Sequence, residues 1–452
     1  MKQPISRKHI RWFSPVLLWA SLVAVVIFLV GFFIGPQIFS YRYNQQEVKA
    51  QNATFDEEEK KPASDVVHLP TPDPLKAIYM TQCVVGTPSF REKLVKLIDE
   101  TELNAVIIDI KDFSGKIAFT TDNPVLAPSV SDACGARDMK EFIKMLHGKN
   151  IYVVGRITVF QDPFYSKLHP ELAVKKESDT SVVWTDHKGL SFIDVGARPF
   201  WDYIIELSRE SYALGFDELN YDYVRYPSDG NMKDIAFTLS EGKPKDVELE
   251  TFFAYLYEAL DTGEAPTSGL RSVRNIFSDD EPRPVLSVDL FGYTTTNRDD
   301  LGIGQLLERA LPYFDYVMPM VYPSHYNAGF IGIAKPASSP YEVVKYSMDE
   351  AVRRVRAMAE AKNSTATTTE ATYLRTQANK GHGNINVLQM RPWLQDFDLG
   401  ATYTPEMVRA QMQATYDAGL TSWALWDAGN TYTRAALHEA TATGSSLTPT
   451  GR

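Results

Sequence analysis

The stretch "GFDELNYDYVRYPSDG" (residues 215–230) crowds carboxylates, an arginine and four aromatic rings into a segment that reads as a β-strand. Upstream, "RPFWDYIIELSRESYALG" has helical period and ends in Gly215, a helix-stop signal. From Glu218 to Tyr226 the pattern alternates: Glu218, Asn220 and Asp222 share one side, and Leu219, Tyr221 and Tyr223 share the other. A buried strand with a polar row on one face suits a barrel, where alternate residues point inward and those at the carboxyl end line a site.

The same logic extends outward from this strand. Short apolar runs lie at 77–86, 105–110, 151–160, 218–226, 284–293, 316–322, 385–393 and 422–427. Between them stand amphipathic stretches such as "FREKLVKLIDETE", "DMKEFIKMLHGK" and "PEMVRAQMQATYDAG". Eight strands with intervening helices over residues 75–440 predict an α/β fold, the (β/α)₈ TIM barrel. A doubly wound open sheet is the alternative, weakened because no Gly-rich phosphate loop follows an early strand. The Ser/Thr-rich run at 362–384 reads as an exposed insertion before strand seven.

Inward parity then nominates a site. It collects Asp109 and Lys111 on strand two, Arg156 and Thr158 on strand three, and Asn220 and Asp222 on strand four. Strand five adds Ser287 and Asp289, strand six Met318, Met320 and Tyr322, strand seven Gln389 and Arg391, and strand eight Trp426. Asp222 and Asp289 on adjacent strands supply the two carboxyls that glycoside hydrolysis needs, one as nucleophile or base and one as proton donor. Asp109, Lys111, Arg156, Asn220, Arg225, Gln389 and Arg391 are candidate hydroxyl ligands, and Tyr322, Trp393 and Trp426 candidate walls for a sugar face. Trp184 is a further candidate platform, whereas the parity of Trp423 favours packing. Asp217 and Glu218 open the fourth strand at the end remote from the mouth, where stability is the expected use.

The formal net charge of −11 argues against a nucleic-acid partner. The eight histidines show neither HxH nor HExxH spacing, so no metal and no other cofactor is expected. Residues 1–11 are basic, and 12–38 carry no ionisable side chain over a length able to cross a bilayer. These features predict a cytoplasmic tail, an uncleaved signal anchor in the plasma membrane, and a catalytic domain outside the cytoplasm. Residues 39–74 read as a polar linker and 441–452 as a flexible tail. Cys83 and Cys134 suit either one disulfide in an oxidising compartment or two buried thiols. The expected partners are a polysaccharide or oligosaccharide substrate and the lipid bilayer.

"ETELNAVIIDIKDFSGKIAF", "RITVFQDP" followed by "HPELAV", and "GFDELNYDYVRYPSDG" together resemble the bacterial glycoside-hydrolase domain family of the (β/α)₈ type. The later "SVDLFGY", "MPMVYPSHY" and "LQMRPWLQDF" extend the resemblance across about residues 75–430. That family is distantly similar to barrel glycosidases of the α-amylase kind. The resemblance implies that Asp222 holds the strand-four nucleophile position and Asp289 the strand-five acid position, where α-amylase-like enzymes usually carry Glu. The implied function is hydrolysis of a cell-envelope or environmental polysaccharide. The competing expectation is a catalytically inactive barrel that binds wall glycans as a tethered adaptor.

Overall fold

A computed structural model of the chain describes residues 66–261 and 283–440. The tail at 1–11, the anchor at 12–38, most of the linker and the tail at 441–452 lie outside the described residues. Among the described residues no helix is long and apolar enough to cross a membrane.

Eight strands form one closed barrel: β1 (Lys76–Met80), β2 (Ala105–Lys111), β3 (Tyr152–Thr158), β4 (Glu218–Asp222), β5 (Val285–Phe291), β6 (Tyr316–Met320), β7 (Trp393–Gln395) and β8 (Trp423–Trp426). Each pairs in parallel with its neighbour, and β8 closes on β1. The period-2 pattern sorts side chains into two cores. Ile78, Ile108, Leu219, Val288 and Leu425 pack outward beneath the helices. Ala77, Ile107, Val154, Met318, Trp393 and Ala424 fill the lumen, so the barrel is packed rather than hollow.

Helix Arg198–Leu214 delivers the chain into β4 and stops at Gly215, whose φ of 117° is a left-handed conformation that disfavours any residue with a Cβ. At the barrel floor Asp217 accepts hydrogen bonds from the Val153 and Leu69 backbone N–H groups, at 2.8 and 2.7 Å. Glu218 beside it pairs with Arg391 at 2.9 Å, both being buried. Cys83 and Cys134 form a disulfide that ties the segment after β1 to the loop after β2, with Cα atoms 4.4 Å apart. A bridge across 51 residues adds about 2–4 kcal/mol by restricting the unfolded chain.

Four expectations are corrected. Strand seven does not occupy 385–393: Val387–Gln389 is a 3₁₀ turn closed by a reciprocal capping box between Asn386 and Gln389, Met390 makes only an isolated bridge to Val317, and the strand itself starts at Trp393, after Pro392. Strand one stops at Met80 because Thr81 caps a short helix, Gln82–Val85. Strand four ends at Asp222, since Tyr223 takes a φ of 53°. Residues 362–384 are not simply an exposed insertion; they contain helix Thr369–Ala378, which buries Leu374, Gln377 and Ala378.

Candidate active site

Arg156 near the end of β3 stands at the centre of the polar lumen. Its Nη1 donates to Asp109 Oδ1 on β2 at 2.7 Å, and its Nη2 pairs with Asp222 Oδ2 at the end of β4. Its Nε lies 3.7 Å from Asp289 Oδ2 on β5. Strand register explains the gathering: Asp109 is level with Arg156, Arg156 with Asn220, and Asn220 with Ser287. One guanidinium thus faces three carboxyls, and all four side chains are nearly buried.

That imbalance shapes their protonation. Burial, followed by the neighbouring charge of Asp222, pushes the Asp289 carboxyl well above the usual carboxylate range. Burial also raises Asp109, to about 6, against the opposing pull of Arg156. Asp289 Oδ1 is held by Asn220 Nδ2 at 2.9 Å and Trp393 Nε1 at 2.7 Å. Asp222 Oδ1 accepts from the backbone N–H of Tyr223, the residue in left-handed conformation. Such strain costs roughly 1–3 kcal/mol and is characteristic of functional sites.

Asp109 supplies a pH-dependent stability term whose sign follows from its shift. A raised folded-state value contributes stability that is fully present below the ordinary 3.8 and lost as pH rises through about 6. Asp109→Asn abolishes this titration. Between pH 4 and 7 the unfolding free energy of the unsubstituted protein should therefore fall by about 2 kcal/mol relative to that of the variant. Chemical denaturation of both proteins across that range measures it, and a constant difference would refute the assignment.

Above the cluster stands an aromatic wall. Tyr79 at the end of β1 hydrogen-bonds Asp109 through its hydroxyl and stacks on Trp426, with ring centroids 4.0 Å apart. Trp426 meets Trp393 edge-on at 5.6 Å. Tyr322 and His325 after β6 meet Phe397 after β7 at 5.6 and 6.0 Å. Tyr79 and Phe397 were not singled out in the sequence, although Tyr79 has the expected inward parity at the carboxyl end of its strand.

The barrel therefore brings together Asp109, Arg156, Asn220, Asp222, Asp289, Tyr322, Trp393 and Trp426, with Arg225 on the rim. Four candidates lie elsewhere. Lys111 was expected to share the face of Asp109, but the β2–β3 register shifts between those two residues and pairs Lys111 with the outward-facing Ile157. Its ammonium is fully buried beside Asp162 at 2.8 Å. Gln389 and Arg391 were expected to line the mouth. Gln389 instead donates to the carbonyls of Leu311 and Phe314, just before β6, and Arg391 joins Glu218 at the floor. Trp184 is also buried, packed with Val174 and Phe192 rather than offering a platform. Trp393 is 1% exposed, so it orients Asp289 and presents no open stacking face. Among the described residues no group of three or more His, Cys, Asp or Glu side chains is arranged to hold a metal ion.

The chain resembles one protein family and several solved structures. A family model described as "Putative glycosyl hydrolase domain" matches residues 77–432. A hypothetical protein from Ruminiclostridium thermocellum ATCC 27405 is 30% identical, with 47% of this chain and 96% of that one covered and a TM-score of 0.39. The glycoside hydrolase domain of PgaB (BpsB) from Bordetella bronchiseptica is 11% identical over 78% of this chain and 94% of that one, with a TM-score of 0.48. An α-galactosidase from Thermus thermophilus is 11% identical over 80% and 59% of the two chains, with a TM-score of 0.43. No curated protein sequence matches the chain. The family match spans the whole barrel, from β1 to beyond β8, and the chain accordingly belongs to this family of glycosyl hydrolase domains.

Proposed function

We propose that the protein is an extracytoplasmic glycoside hydrolase that cleaves a cell-envelope or environmental polysaccharide by a two-carboxylate mechanism. The observation that carries the mechanism is the unequal pair at the ends of β4 and β5. Asp222 is ion-paired to Arg156, while Asp289 is pushed to retain its proton. In this scheme Asp222 attacks the anomeric carbon or activates the water that does, and Asp289 protonates the leaving glycosidic oxygen. Arg156 and Asn220 fix the two groups, and the half-buried ring of Trp426 offers an apolar face beside the reacting sugar, whereas Tyr322 is 6% exposed and packs in the lumen.

A polysaccharide panel that includes peptidoglycan strands, assayed for new reducing ends with Asp222→Asn alongside, tests this reading. Glycan retention without new reducing ends, unaffected by Asp222→Asn, would instead identify a silent adaptor.

The placement outside the cytoplasm rests on the apolar run at 12–38 with its basic flank, and the Cys83–Cys134 bridge supports it, because disulfides persist in oxidising compartments. The full chain should sediment with membranes and be released by detergent. Recovery in the soluble fraction without detergent would rule out the anchor.

A further inference from the structure

Arg225 is the buried cation that the hydrolytic scheme leaves without a task. It is 9% exposed, and its one hydrogen-bond partner among the described residues is the Tyr226 carbonyl, 3.1 Å from Nη1. No carboxylate among the described residues lies within 4.0 Å of its guanidinium; Asp222, Asp229 and Asp186 act on it only from farther away. Three rings surround it instead. The centroids of Tyr223 and Phe291 are each 5.0 Å from its Cζ, and that of Phe192 is 5.7 Å away. Aromatic faces offset part of the cost of removing a guanidinium from water, but they leave its in-plane donors unused.

The geometry of those donors is informative. Nη1 is committed to the Tyr226 carbonyl, which leaves the Nε–Nη2 edge. Unlike the Nε and Nη2 of Arg391 on the floor, which are sealed and without a partner, neither atom is among the wholly enclosed ones, and the residue keeps 9% of its surface exposed. That edge matches a carboxylate through two parallel hydrogen bonds. Its position is equally specific. Tyr223 directly follows Asp222, and Phe291 lies two residues beyond Asp289 on the same face of β5. The guanidinium therefore sits on the rim between the exits of the two strands that carry the acid pair. An acidic group of a bound sugar could reach it there while the anomeric carbon rests near Asp222. In a chain of net charge −11 this is a local exception to the prevailing repulsion of anions.

We propose that Arg225 forms a subsite for a carboxylate-bearing sugar, such as a uronic acid or a lactyl-ether amino sugar, and so selects acidic glycans. This rests on the reading of the mouth as a glycan-binding site but needs no turnover. The experiment titrates glucuronate, galacturonate and N-acetylmuramate, each against glucose, galactose or N-acetylglucosamine, into the full chain by ligand-observed NMR, with inorganic phosphate as a control anion. Measurements are made in an Asp222→Asn background, so that hydrolysis cannot interfere.

At least one acidic sugar should bind tenfold or more tightly than its neutral counterpart. Arg225→Gln should reduce that preference below twofold, and Arg225→Lys, which keeps the charge without the fork, should give an intermediate value. Unchanged melting temperatures of both variants establish that they fold; if the glutamine variant does not, the lysine variant alone decides, through a preference reduced to an intermediate value, and an unreduced preference overturns the proposal. Equal affinity for acidic and neutral sugars, a preference that survives both substitutions, or binding of phosphate with no sugar preference would each overturn the proposal. Failure here leaves hydrolysis untouched, whereas an absence of new reducing ends in the polysaccharide panel leaves this preference measurable.

Discussion

Asp222→Asn is expected to lower turnover of a cleaved glycan by on the order of 10⁴-fold while leaving the melting temperature close to that of the parent. The substitution preserves shape, and the new amide oxygen can still accept from the Tyr223 backbone N–H. It removes the electron pair that the proposed attack requires and replaces an acceptor facing Arg156 with a donor. A second effect separates chemistry from folding. The charge of Asp222 is one of the causes that raise the Asp289 carboxyl, so its removal lowers that value. A group that must be protonated to act then loses its proton at lower pH. The alkaline limb of any residual activity should move toward acid, as reducing-end release measured across pH will show. Turnover within tenfold of the parent would end the case for Asp222.

Arg391→Met should instead cost about 3–5 kcal/mol of stability, with kcat and KM of the folded fraction unchanged within twofold. Arg391 and Glu218 are both buried at the floor, and the tyrosine hydroxyl of Tyr152, 3.3 Å from Glu218, is too weak a partner to hold a bare carboxylate there. Removing the arginine strands that charge in the interior. A Glu218→Leu/Arg391→Met double variant should recover most of the loss, because two apolar side chains leave nothing unpaired. Denaturant midpoints of the three proteins give the result directly. A raised KM with unchanged stability would return Arg391 to the mouth.

The contrast between these two residues shows what the sequence could convey. Parity along a strand is a local property, so alternating residues placed Asp222, Asp289, Asn220 and Arg156 on the inner face without any knowledge of their partners. The rule fails wherever the backbone leaves its regular repeat. The register shift at Asp109 and Lys111 turned two residues of equal parity to opposite faces of the sheet. Strand seven was misplaced because an apolar run ending in "RPW" looks extended, whereas the capping box that folds it into a turn depends on a reciprocal pair of hydrogen bonds. The partner of Arg391 lies 173 residues away, and no local pattern announces a contact of that range. Tyr79 was legible in principle, as an aromatic residue with a hydroxyl at the carboxyl end of the first strand.

The left-handed residue after β4 has a consequence for how such a protein can change. The carboxylate of Asp222 takes part of its orientation from the amide of its own successor, a covalently fixed neighbour, rather than from the surrounding side chains alone. Rim residues are thus partly released from the duty of aiming it. If the proposed chemistry holds, substitutions among Phe291, Tyr322 and Phe397 can accumulate over evolutionary time and alter which glycan is bound while Asp222 keeps its heading. Diversification at the edge and constancy at the centre become compatible within one barrel.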